Sequence, residues 1–226
     1  MAEARFAGRT VAAVLFDMDG LLFDTERLFF RAMEAAGKER GLRVTRDFYV
    51  RLLGNPRETN WQLIRDEFGS AVDPEAFHDR CHVHMDGLVE TGLRLKAGAT
   101  ELLDSAARLG LACGLVTSSA HRCVERNLAA FGLAGRFAAV VAHGDTASGK
   151  PHPAPYLEAA ARLGAQPQQC LALEDSHNGV RSAAAAGAVT VMVPDLLEPA
   201  ADIRALCTLI APDLHAVAAQ LRPAQS

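Results

Sequence analysis

The sequence predicts an α/β protein: a doubly wound parallel sheet carrying an inserted helical subdomain. Short runs that are apolar on successive residues fall at 11–16, 111–116, 138–142, 170–173 and 189–193, with a weaker run at 208–211. Strands covered by helices on both faces read this way rather than alternating. Between the runs lie longer segments with helical spacing, and repeated strand–helix–strand order argues for a parallel sheet. The third observation is an interruption, because no convincing strand occurs between Thr25 and Gly92.

The first strand, Val-Ala-Ala-Val-Leu-Phe, carries no charge and runs straight into Asp17-Met18-Asp19-Gly20. The interval after it reads as helices over 26–40, 47–53, 57–68 and 74–91, punctuated by Gly37, Gly41, Gly54, Gly69 and the Asp73-Pro74 step. Such a block is best explained as an insert, so residues 1–24 with 93–226 are expected to form the α/β core and 25–92 a helical subdomain. Asp24 and Thr25 are expected to cap its first helix. Further on, Leu102, Leu103, Ala106, Ala107 and Leu109 make an apolar helix face closed by Gly110. Val124, Leu128 and Phe131 make a second before Gly132, and Tyr156, Leu157, Ala160 and Leu163 a third before Gly164. Thr117 to Ser119 stand where an N-cap is expected for a helix from Ala120.

Composition bounds the function. A chain of 226 residues, half of them apolar, can bury a core without staples. The net charge of -4 provides no basic field to hold a nucleic acid. Five scattered cysteines form no CxxC pair, which suggests neither a disulfide framework nor a zinc site and fits a reducing compartment. The first apolar run is too short for a signal peptide. The longest nearly apolar stretch, 183–193, is far below the roughly 18–20 residues of a membrane span. A soluble cytoplasmic protein is expected, without nucleic-acid or membrane partners and compatible with a monomer.

In a parallel sheet, ligands sit outside the carboxyl ends of the strands. The residues that follow the runs are Asp17 and Asp19, then Thr117, Ser118 and Ser119, then Asp145 and Lys150, then Glu174, Asp175 and Ser176. Carboxylates crowded at one edge repel unless a cation or a proton neutralises them. A hard divalent ion, typically Mg2+, answers this, and it favours few carboxylates plus waters and substrate phosphate. The fit is therefore to a phosphorylated substrate. Thr117 and Lys150 can donate to phosphate oxygens, Asp17 can act as nucleophile, and Asp19 can serve as acid and then base. In-line phosphoryl transfer asks for little beyond such positioning and charge neutralisation.

Plainer readings stand beside these. Asp17 and Asp19 are also turn residues, Lys150 is a type common on loop surfaces, and Glu174 and Asp175 also suit a helix N-terminus. An exposed Arg57 pairs as readily with Asp or Glu. His78 and His82 share a helix face suited to a metal, yet no third ligand with suitable spacing stands nearby. His143 and His177 lie near the proposed rim, and Trp61 suits packing.

The segments "DMDGLLFDT", "VTSS", "GKP" and "LEDSHNGVRSAAAAG" resemble the four ordered motifs of the haloacid dehalogenase (HAD) superfamily, over residues 11–194. The insert resembles the helical cap of the branch that includes β-phosphoglucomutase and sugar-phosphate phosphatases. The resemblance implies a Rossmann-like core, a Mg2+ cofactor, and Asp17 as nucleophile and metal ligand. It implies Asp19 as general acid/base and as a ligand through its carbonyl, Asp175 as a further ligand, and Glu174 as support for a metal-bound water. Thr117, Lys150, Asn178 and the backbone of Ser118 would bind phosphate. "LLGNPRE" resembles a substrate-specificity loop, so Arg57 would anchor an anion. Phe29 stands near the position of a histidine that takes part in closure in β-phosphoglucomutase, which favours hydrolysis over a mutase reaction. Lys96-Ala97-Gly98 replaces the usual Lys-Pro-Gly. A dehalogenase would need neither Asp19 nor a metal. A phospho-receiver module lacks the insert and places its lysine after its last aspartate. The expected activity is Mg-dependent hydrolysis of a small phosphomonoester, a sugar phosphate or similar, through an aspartyl-phosphate.

Overall fold

The structure is a computed structural model and describes residues 2–53, 55 and 57–224. It divides into two compact units, Met1–Phe23 with Leu95–Ser226, and Asp24–Arg94. The first begins with a hairpin absent from the sequence reading. Strands β1 (Ala4–Phe6) and β2 (Arg9–Val11) pair antiparallel across Ala7-Gly8, both with positive φ (46° and 78°). Those angles are those of a type I′ turn. The run 11–16 is thereby divided: Val11 belongs to the hairpin, and the Ala12 N–H donates to Gln169 O at 2.7 Å. Strand β3 (Ala13–Phe16) is buried at every residue.

The second unit contains helices α1 (Thr25–Glu39), α2 (Arg46–Leu52), α3 (Arg57–Phe68) and α4 (Pro74–Gly92), and no strand among the described residues. Leu28 and Ala32 of α1 pack on Met85 and Val89 of α4. At the other end of α1, Glu39 accepts two bonds from Arg80, both 2.6 Å, and pairs with His84 Nε2 at 2.9 Å. Asp73 and Thr45 cap α4 and α2 through their side chains. Asp24 departs from expectation: it occupies the N-cap position of α1 without a capping bond, because its carboxylate takes Arg27 Nε at 2.8 Å. In "LLGNPRE", Gly54 and Pro56 lie outside the described residues.

The chain then continues through α5 (Ala99–Arg108), β4 (Ala112–Val116), α6 (His121–Ala130), β5 (Ala139–Val141), α7 (Ala154–Arg162), β6 (Cys170–Glu174), α8 (His177–Ala185), β7 (Val189–Met192), α9 (Ala201–Leu206), β8 (Leu209–Ile210), α10 (Leu214–Ala218) and β9 (Arg222–Pro223). The six-stranded sheet is parallel with order β5-β4-β3-β6-β7-β8, and β9 pairs with β1. From β3 the chain winds outward through β4 to β5, returns to the other flank of β3 at β6, and winds outward again. This is the doubly wound arrangement, and its reversal lies beside β3.

Three local readings are corrected. Ser105, not Ala107, completes the buried face of α5; its hydroxyl donates to Glu101 O at 2.8 Å and so carries no unsatisfied group inward. On α7 Ala159 is buried beside Tyr156 and Ala160, while Leu157 is 43% exposed, since the helix starts at Ala154 and turns Leu157 outward. Helix α6 starts at His121, so its N-cap is Ala120, which offers no side-chain acceptor. No described helix is long and apolar enough to cross a membrane.

Helix α3 buries only Ile64 among its twelve residues, whereas α1 buries six. Burial is what protects helices from local opening. Amide hydrogen exchange in α3 is expected to be faster than in α1 and α4; equal protection across the three would contradict this account.

Candidate active site

Register builds the site. The Asp17 N–H donates to Leu173 O at 3.0 Å, extending the β3–β6 pairing by one residue, and the Thr117 N–H donates to Val141 O at 2.9 Å, extending β4–β5. Adjacent strands therefore end on Asp17, Thr117 and Glu174 at one edge. Lys150 reaches the same edge from the loop after β5, ahead of a cis peptide to Pro151.

Lys150 is the hub. Its Nζ donates to Asp17 Oδ1 at 2.5 Å, Glu174 Oε1 at 2.6 Å and Val116 O at 2.9 Å, which uses all three ammonium hydrogens. Glu174 is fully buried, and it also accepts from Tyr156 Oη at 2.6 Å and Ser176 Oγ at 3.1 Å. A side chain on Gly179 would overlap that carboxylate, which fixes Gly in the "LEDSHNG" segment. Asp19 Oδ2 accepts from Ser119 Oγ at 2.7 Å and Thr117 Oγ1 at 3.3 Å. Thr117 Oγ1 in turn accepts the Ser119 N–H at 3.0 Å.

Oxygens of Asp17, Glu174 and Asp175 all lie within 4.8 Å of one another. Asp17 and Glu174 share the one Lys150 ammonium, so these two carboxylates outnumber it. Burial pushes the Asp17 carboxyl up to about 8 against the pull of Lys150, and Glu174 and Asp19 add to the rise. Burial alone would lower Lys150, but Asp17 and Glu174 hold it above the ordinary lysine range. The ammonium stays charged while the Asp17 carboxyl resists ionisation.

Six of the expected residues thus converge: Asp17, Asp19, Thr117, Lys150, Glu174 and Asp175. Ser118 lines an adjoining cavity of about 330 Å³ together with Thr117, His143, Thr146 and Lys150. Asn178 lies in the first turn of α8, where Arg181 Nη1 approaches its Oδ1 at 3.5 Å. His177 Nε2 bonds to Glu198 O at 3.0 Å. Asp145 is held away by His121 at 2.8 Å and Arg162 at 3.1 Å. In the helical unit, Arg57 is 58% exposed, pairs with Glu75 at 2.7 Å and lies over the Trp61 ring at 4.1 Å. His78 and His82 do share a face, with ring nitrogens 3.3 Å apart and Phe29 against both. Ser119 was placed at this edge without a role, and Tyr156 was missed. Ser119, not only Thr117, holds Asp19, and Tyr156 binds Glu174; a buried tyrosine's need for a hydrogen-bond partner was the available signal for the second.

A family model described as a haloacid dehalogenase-like hydrolase matches residues 11–187. The chain belongs to this family. Among its relatives, the plasmid-borne protein CbbY of Cupriavidus necator is 36% identical over 197 residues, 80% of this chain and 78% of the relative. Hexitol phosphatase B of Escherichia coli K12 is 33% identical over 189 residues, 82% of this chain and 85% of the relative. Among solved structures, CbbY of Rhodobacter sphaeroides in complex with phosphate aligns with a TM-score of 0.74 at 26% identity, over 90% of this chain and 95% of that one.

The charge imbalance of this HAD-like hydrolase has a consequence for stability. Folded Asp17 keeps its proton up to about 8, whereas the free carboxyl releases it near 3.8. Between those values the folded state binds more protons, so stability falls as pH rises. His78, which burial holds below the usual histidine value, acts in the opposite direction but only at lower pH. In EDTA, the urea midpoint is expected to fall between about pH 7 and pH 8.5, and Asp17→Asn to flatten that slope; a wild-type midpoint that holds or rises would contradict the assignment.

Proposed function

We propose that the protein is a magnesium-dependent phosphatase that hydrolyses a small phosphomonoester, a sugar phosphate or a similar metabolite, through an aspartyl-phosphate on Asp17. The observation that carries this reading is the convergence of Asp17, Glu174 and Asp175 around a single buried ammonium. The donor set fits Mg2+: every candidate ligand is a hard oxygen, and the surplus negative charge calls for a divalent cation. Asp17 and Asp175 would hold the ion together with the carbonyl of Asp19. Glu174, already engaged by Lys150, Tyr156 and Ser176, would support a water of its shell. Once bound, the ion would neutralise phosphate charge as the phosphoryl group moves.

The chain's own groups supply the rest. Lys150 immobilises the Asp17 carboxylate for attack on phosphorus and offsets charge on the phosphoryl oxygens. Asp19, held by Ser119 and Thr117, would protonate the leaving oxygen as its bond to phosphorus breaks. The same carboxylate would then take a proton from the water that hydrolyses the aspartyl-phosphate, which regenerates Asp17. Thr117, the Ser118 backbone and Asn178 are assigned to phosphate binding. The helical unit 24–94 is assigned as a cap that closes over substrate and excludes water, with Arg57 exchanging Glu75 for a substrate anion. Phe29 packs as a hydrophobe and offers no polar group, so water rather than a second phosphate ester is the acceptor. The hexitol phosphatase relative supports a phosphorylated polyol or sugar as substrate.

Phosphate release measured over a panel of sugar and polyol phosphates is expected to need Mg2+, to vanish in EDTA, and to return when Mg2+ is restored. Asp17→Asn should abolish turnover in a folded protein, and Asp19→Asn should cost roughly 10²–10⁴-fold in rate. Turnover that survives chelation, or wild-type rates in either variant, would overturn the proposal.

A further inference from the structure

Asp195 is absent from the sequence-derived site. It follows β7, which lies beside β6, and the Val193 N–H donates to Glu174 O at 2.7 Å. Its Oδ1 accepts from Lys96 Nζ at 2.6 Å, with only 12% of the Asp195 side chain exposed. Among the described residues, Asp195 Oδ2 is the one buried side-chain polar atom without a hydrogen-bond partner. Buried carboxylate oxygens are rarely left so, because each forfeits its hydration. Here Lys96 pairs with Oδ1 alone, and Oδ2 is left without a hydrogen-bond partner.

Gly20 shows where that oxygen points. A Cβ built on Gly20 would overlap the Asp175 carboxylate and lie 3.5 Å from Asp195 Oδ2. The acid-bearing ends of β6 and β7 therefore meet over a residue of the "DMDG" turn that has no side chain to keep them apart. Two carboxylates do not approach each other in this way to satisfy one another. The fitting partner is a hydrogen-bond donor at positive potential. Asp195 also stands outside the cluster of oxygens that can hold an ion directly.

We infer that Asp195 is a positioning residue of the proposed metal site, its Oδ2 accepting a hydrogen bond from water in the coordination shell of the cation that Asp175 holds. This rests on the magnesium-dependent reading above. Partners of this kind orient ligands and typically alter metal affinity roughly 10–100-fold. The charge adds in the same direction, since a carboxylate close to the ion attracts it while Lys96 opposes it.

The test is calorimetric titration of MgCl2 into wild type, Asp195→Asn and Lys96→Met, with urea midpoints in EDTA measured alongside. Asp195→Asn is expected to weaken Mg2+ binding roughly 10–100-fold, whereas Lys96→Met should bind as tightly as wild type or tighter. A purely structural ion pair would weaken both variants alike, and that result would overturn the inference, as would wild-type affinity in Asp195→Asn. Asp195→Ala provides the same comparison if the asparagine variant does not fold. A wild type that binds no Mg2+ would instead overturn the phosphatase reading itself.

Discussion

A single buried ammonium has to serve more negative charge than it can balance. Lys150 holds Asp17 and Glu174 within 2.6 Å, and Asp175 adds a third carboxylate within the same few ångströms. Burial makes such an arrangement costly unless every charge finds a partner. The architecture around it supplies neutral donors, Tyr156 and Ser176 to Glu174, and places hydroxyls on Asp19. A proton on Asp17 meets part of this deficit, and on the proposed reading a metal ion takes its place, which links the protein's stability to its chemistry.

The sheet makes that crowding unavoidable. Because the chain returns to the flank of β3 at β6, Asp17 and Glu174 end neighbouring strands in fixed register. Strand β4 brings Thr117 to the opposite side of β3, and the loop after β5 passes Lys150 across. Asp17 and Glu174 are thus positioned by backbone pairing of β3 and β6, both fully buried. The repulsion between the acids is opposed by the burial of those strands, which would be lost if the carboxylates drew apart.

The chemistry-bearing ends were legible because each apolar run stops at a polar residue whatever the tertiary arrangement. Asp17, Thr117 and Glu174 could be read in this way. The N-terminal hairpin could not, since strands of three residues are too short to show a period, and Phe6-Ala7-Gly8-Arg9 was its only signal. Faces were read less well than elements: Ser105 and Ala159 replaced Ala107 and Leu157, small shifts of phase that apolar spacing alone does not resolve. Ser119 and Tyr156 stood in segments already recognised, but which hydroxyl meets which carboxylate depends on side-chain direction. The Lys96–Asp195 pair spans 99 residues and unites two loops with no shared motif, so only the fold could bring it to view.

The central claim is that a divalent ion and a proton on Asp17 are alternatives. Its most direct test is the number of protons released when Mg2+ binds, obtained from calorimetry in buffers of different ionisation enthalpy. Release of nearly one proton per ion is predicted at about pH 7, fading above about pH 9, because ligands must be deprotonated to bind. Magnesium binding at about pH 7 with no proton released would contradict the account.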